Sequence, residues 1–70
     1  MADNEATIPL TMPEDEARAF AQLLKRLGYE DCRRLSHQRT TYAGREESWV
    51  MWSAVQMVER QFAEAGFAPR

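Results

Sequence analysis

The chain has one cysteine, Cys32, and one histidine, His37, with Ser36 directly before the histidine. A serine and a histidine are two thirds of an acyl-transfer site, in which the imidazole takes the hydroxyl proton and an acid orients it. Neighbouring residues on any regular element point in different directions, so Ser36 and His37 cannot form that pair, and a chain with a single imidazole offers no second choice. The expectation is a protein that is not an enzyme. Cys32 and His37 could supply two ligands of a metal shared across a dimer. Cys32, however, falls in the repeat Tyr29, Cys32, Leu35, which reads as the buried side of a short helix, where a cysteine packs as a small hydrophobe. His37 reads as an exposed loop residue. No metal and no cofactor is expected. Gly28, Gly44 and Gly66 lie too far apart for a phosphate-cradling loop and read as helix stops or a turn. The acids Glu14 to Glu16 and Glu46 to Glu47 both fall in helix first turns, where they complement the helix dipole.

The other residues that invite a functional reading are those that bind rather than react. On a helix over 46 to 65, at about 100° per residue, Met51, Val55, Val58, Phe62 and Ala65 form an apolar stripe. Trp49 falls roughly 160° from Met51, among Ser53, Gln56 and Arg60. A tryptophan there needs a second surface: a partner, for which tryptophan is a common anchor, or another segment of the same chain folded over it. Trp52 lies at the stripe's border. The charge is also uneven. Residues 1 to 31 carry seven acids and three bases, 32 to 45 four arginines and no acid, and 46 to 70 four acids and two bases. Arg33, Arg34, Arg39 and Arg45 could meet nucleic-acid phosphate or an acidic protein surface. Alternatively, they pair with the acidic helix starts on either side.

The elements that must position these residues are legible from periodicity. Thr7 to Met12 alternates, with Ile8, Leu10 and Met12 on one side, as in a half-buried strand; Pro9, lacking an amide hydrogen, confines it to an edge. Thr11 with Glu14 suggests a capping box opening a helix over about 13–27, whose stripe is Ala17, Phe20, Leu23, Leu24 and Leu27 and whose left-handed stop is Gly28. A short helix over about 30–36 follows. Thr40, Thr41 and Tyr42, before Gly44, favour a loop or brief strand. The last helix spans about 46–65 and stops at Gly66, with Phe67 folding back on its final turn. The fold class is mainly α with minor β: a helical hairpin packed on Phe20, Leu24, Leu27, Val55, Val58 and Phe62.

Residues 1–6 read as a disordered N-terminus and 7–70 as one small domain. Seventy residues give a core worth only about 3–5 kcal/mol, and the lone cysteine cannot form a disulfide within the chain. Dimerisation is therefore expected to complete the fold, through Ile8, Leu10, Met12 and Trp52. No apolar run has the length of a signal peptide or a membrane span, which points to a cytoplasmic protein away from membranes.

The stretch Thr7-Ile8-Pro9-Leu10-Thr11-Met12-Pro13-Glu14-Asp15-Glu16 resembles the opening of ribbon-helix-helix repressors, a likeness that covers residues 7–27. It implies a dimer whose paired strands enter the DNA major groove, with base-reading positions at Thr7, Pro9 and Thr11. Those residues lack the Arg, Lys, Asn or Gln forks that discriminate bases, and about 17 residues separate Gly28 from the final helix, where that family has a short turn. In type, a compact acidic chain with an unpaired aromatic is similar to anti-CRISPR and other inhibitor proteins of phages and mobile elements, which share no diagnostic motif. The leading expectation is a non-enzymatic binding protein that occludes a surface of a protein or ribonucleoprotein complex, with Trp49, Arg33, Arg34, Arg39 and Arg45 meeting the partner. The alternative is a small dimeric DNA-binding regulator.

Overall fold

A computed structural model of the chain describes residues 5–67. Its elements are α1 (Glu14–Arg26), α2 (Tyr29–Leu35), β1 (Thr41–Tyr42), β2 (Arg45–Glu46) and α3 (Glu47–Glu64). The three expected helices are present, and the chain is mainly α with minor β. The β structure is in a different place from the one expected. Thr7 to Met12 forms no strand: among the described residues the ladder joins β1 to β2, Pro9 has no amide hydrogen to offer one, and Ile8 is 78% and Leu10 63% exposed. Of the segment expected to be disordered, residues 1–4 lie outside the described residues, and Glu5 and Ala6 are exposed without regular structure.

Helix α1 begins later than a Thr11 capping box requires. That box would make Met12 the first helical residue, and a residue before proline is pushed out of the α region. Pro13 is the N-cap instead, its carbonyl accepting the Ala17 N–H at 3.0 Å without a side-chain cap, and Glu14 pairs with Arg18 at 2.9 Å. The stop after α1 also differs. Gly28 has φ −120° and ψ 174°, extended backbone rather than left-handed, and serves as the N-cap of α2. Its N–H donates to Asp31 Oδ2 at 2.8 Å and its carbonyl accepts from the Asp31 and Cys32 N–H groups. The bond from Gly28, with a second from Arg34, holds the Asp31 carboxyl below its usual pKa.

Three left-handed residues shape the rest. β1 and β2 form a two-residue hairpin with Tyr42 opposite Arg45; Ala43 (φ 53°) and Gly44 (φ 83°) both take positive φ, as the tightest hairpin turns demand. Gly66 (φ 96°) ends α3 as expected. Its N–H donates to the Ala63 carbonyl at 3.0 Å and the Phe67 N–H to the Phe62 carbonyl at 2.8 Å, the paired bonds of a Schellman stop. Phe67 thus turns back, and the Arg18 guanidinium lies 5.5 Å from its ring centre.

Helices α1 and α2 both pack on α3. Leu24, Ala17, Ala21 and Cys32 are buried, and the Phe20 and Phe62 rings meet edge to face at 5.3 Å. The expected packing residues Leu27, Val55 and Val58 are only half-buried. The dimensions are 36 × 32 × 16 Å, a slab with little interior. No helix among the described residues is long and apolar enough to cross a membrane.

Candidate functional site

The first turn of α3 and the first residue of α2 build the most distinctive surface feature. Ser48 points inward and is buried, its Oγ 3.3 Å from the Tyr29 hydroxyl, a hydrogen bond between two groups of which either can donate. Trp49, the next residue, lies about 100° further round the helix and stacks on the same Tyr29 ring, with centroids 4.4 Å apart and planes 29° from parallel. Tyr29 is therefore held by two consecutive residues of α3. The indole rests on this support and remains 53% exposed. The sequence left open whether a partner or the chain itself covers Trp49. The chain supplies a ring on one side and leaves about half of the residue to solvent.

Beside this platform runs a groove of about 620 Å³, lined by Tyr29, Arg33, Arg34 and His37 and, from the opposite wall, Glu46 and Glu47 among others. Two of the expected contact arginines, Arg33 and Arg34, are thus brought beside the platform, whereas Arg39 and Arg45 do not line the groove and lie exposed on the following loop and hairpin. Arg33 is 3.9 Å from Glu30 and Arg34 3.3 Å from Asp31. Pairing with a neighbouring acidic helix start is therefore realised for these two, and both pairs are solvated enough to open at little cost. The groove is mixed in charge rather than a uniformly basic track for phosphate.

Glu47 organises the groove's far wall. One carboxylate oxygen accepts the His37 N–H at 2.7 Å and the other accepts the Tyr42 hydroxyl at 3.0 Å, while the Glu47 N–H donates to the Thr40 carbonyl at 3.2 Å. A single side chain ties the 37–42 loop to the start of α3. Accepting the Tyr42 proton raises the phenol's pKa, because ionisation would set a phenolate against a carboxylate. Residue type alone gave Glu47 a dipole role and no more; the clamp depends on loop geometry that no local pattern encodes. Tyr29 was likewise read only as part of an apolar repeat, and its place under Trp49 depends on how α2 packs on α3.

The other expected contact residues are dispersed. Ile8 and Leu10 are exposed and Met12 is half-buried beside α1; Trp52 is half-buried on the side of α3 that faces the other helices. Ser36 Oγ donates to the Arg33 carbonyl at 2.8 Å, closing α2. Among the described residues, no three His, Cys, Asp or Glu side chains are gathered so as to hold a metal ion.

A family model described as a family of unknown function (DUF7706) matches residues 1–70. The chain belongs to that family. No curated protein matches this DUF7706 member, and no solved structure does. Membership carries no activity with it, so Trp49, Tyr29 and the groove stand on their geometry alone.

Proposed function

We propose that this protein is a non-enzymatic binding protein that acts by covering a surface of a larger protein or ribonucleoprotein complex, as inhibitors carried by phages and mobile elements do. The observation that carries this reading is the Trp49 indole, held on Tyr29 at 4.4 Å and 53% exposed. An aromatic anchor already fixed in place loses little rotamer freedom on binding, and buried tryptophans dominate interface energetics. Arg33 and Arg34, beside the platform, supply charge that steers and orients a partner.

Capture from a lysate of the native host tests this, with wild type compared against Trp49→Ala. The reading expects a protein component retained by wild type and lost by the variant; an identical set of captured proteins counts against it. Random duplex DNA provides the opposing arm. Tight binding at about 50 mM salt that weakens steeply as salt rises would replace the protein partner with a DNA-binding regulator.

A further inference from the structure

The groove beside the Trp49 platform has walls of unequal charge. On the α2 side, Arg33 lies 3.9 Å from Glu30 and Arg34 3.3 Å from Asp31, so in the free chain each guanidinium is offset by an acid of its own helix. On the opposite side Glu46 and Glu47 have no such offset, and among the described residues neither makes an ion pair. Glu47 accepts from two neutral donors, the His37 N–H and the Tyr42 hydroxyl, which hold its carboxylate in place without cancelling its charge. Glu46 is the exposed N-cap of α3 and makes no side-chain cap bond. Arg45, its neighbour in β2, falls on the other side of the strand and stays outside the groove. The positive start of α3 and the negative end of α2 both border the groove and offset one another. With histidine neutral at pH 7, the charges of Glu46 and Glu47 are left over.

We propose, on the reading that Trp49 anchors a partner, that the bound segment of that partner carries an arginine whose side chain enters this groove and pairs with the Glu46 carboxylate. Charge complementarity selects a cation, since an acidic side chain would meet Glu46 and Glu47 as like charges. Shape selects arginine. A planar guanidinium pairs bidentately with a carboxylate that no other group engages, and it stacks on aromatic rings; Tyr29 supplies an aromatic wall of the same groove. The volume of about 620 Å³ falls in the range of built ligand sites and leaves room for the backbone on either side of the arginine. Tyr29 and Ser48 belong to both groove and platform, so one short segment can reach both.

The probes that test this are three capped tripeptides, acetyl-Gly-X-Gly-amide with X as arginine, citrulline or glutamate, titrated into the full chain at constant ionic strength and followed by amide NMR. Citrulline keeps the shape of arginine and removes its charge. The arginine peptide is expected to shift the Glu46, Glu47 and Ser48 amides saturably and to bind about fivefold more tightly than the citrulline peptide. Glu46→Gln abolishes that advantage, and Arg33→Gln, which leaves Glu30 uncompensated as well, increases it. Equal binding of the arginine and citrulline peptides, tighter binding of the glutamate peptide, or an advantage that survives Glu46→Gln would each overturn the proposal. The peptides read the groove without the partner, so the two claims fail separately. Capture that depends on Trp49, together with equal arginine and citrulline binding, would sink the groove assignment and spare the anchor. Glu46-dependent arginine binding with capture unchanged by Trp49→Ala would remove the anchor and leave the cation preference of the groove standing.

Discussion

Trp49 and Trp52 stand three residues apart on one helix and differ in what holds them. Trp52 is half-buried on the inner side of α3, and Trp49 has one aromatic neighbour and an open remainder. Trp52→Ala is expected to cost about 2 kcal/mol or more by opening a gap in the packing, and Trp49→Ala about 1 kcal/mol, the worth of an aromatic stack. Urea unfolding of the two variants checks this; equal losses would place Trp49 in the core. The Glu47 clamp has a pH signature. Its bond raises the Tyr42 pKa above the usual 10.0, so the clamp's contribution is complete below pH 10 and is lost as pH rises through the raised value. Glu47→Gln should bring the Tyr42 titration, followed by phenolate absorbance, back toward 10.0 and lower stability at neutral pH. An unchanged titration would show that the bond is absent.

At the scale of elements, the helices were legible because their apolar residues recur at helical spacing, and observed bounds fall within one or two residues of expectation. Gly66 was legible too, since it follows the last periodic residue and precedes an apolar Phe67 able to close the stop. Gly28 was not. A glycine between two helices suits either a left-handed stop or an N-cap, and only the Asp31 carboxylate accepting its N–H decides for the second. The two backbones predict different costs. Gly28→Ala should stay within about 0.5 kcal/mol of wild type, because its extended φ suits alanine and an added Cβ meets nothing closer than Asp31 Oδ2 at 3.8 Å. Gly66→Ala should lose about 1 kcal/mol, since φ +96° strains any L side chain even in open space. Thermal melts of both variants measure the difference, and reversed losses would contradict the assigned caps. The hairpin escaped notice as a hairpin because two-residue strands are too short to show alternation. The N-terminal segment did alternate, yet alternation describes which side chains share a face and cannot supply the neighbouring strand that a ladder needs.

The whole molecule is broad and thin, with a Cα radius of gyration of 13.7 Å against about 11 Å for a compact chain of its length. Its buried hydrophobic residues, among the described residues, are two alanines, a leucine and a cysteine. Most of its large apolar side chains are therefore at least partly open, which was foreshadowed only by the short length of the chain. The places where function concentrates, the Trp49 platform and its groove, arise where α2 and the hairpin meet the start of α3. That junction is set by packing between segments distant in sequence, which is why Trp49 stood out as a residue while its setting did not. The platform's role is tested most directly by measuring, with a captured partner in hand, the affinity of wild type and Trp49→Ala by calorimetry at a temperature where both are folded. An anchoring indole predicts a loss of about 2 kcal/mol or more, roughly 30-fold in Kd. Affinities within about twofold of one another would contradict it, because the exposed tryptophan would then lie outside the surface that binds.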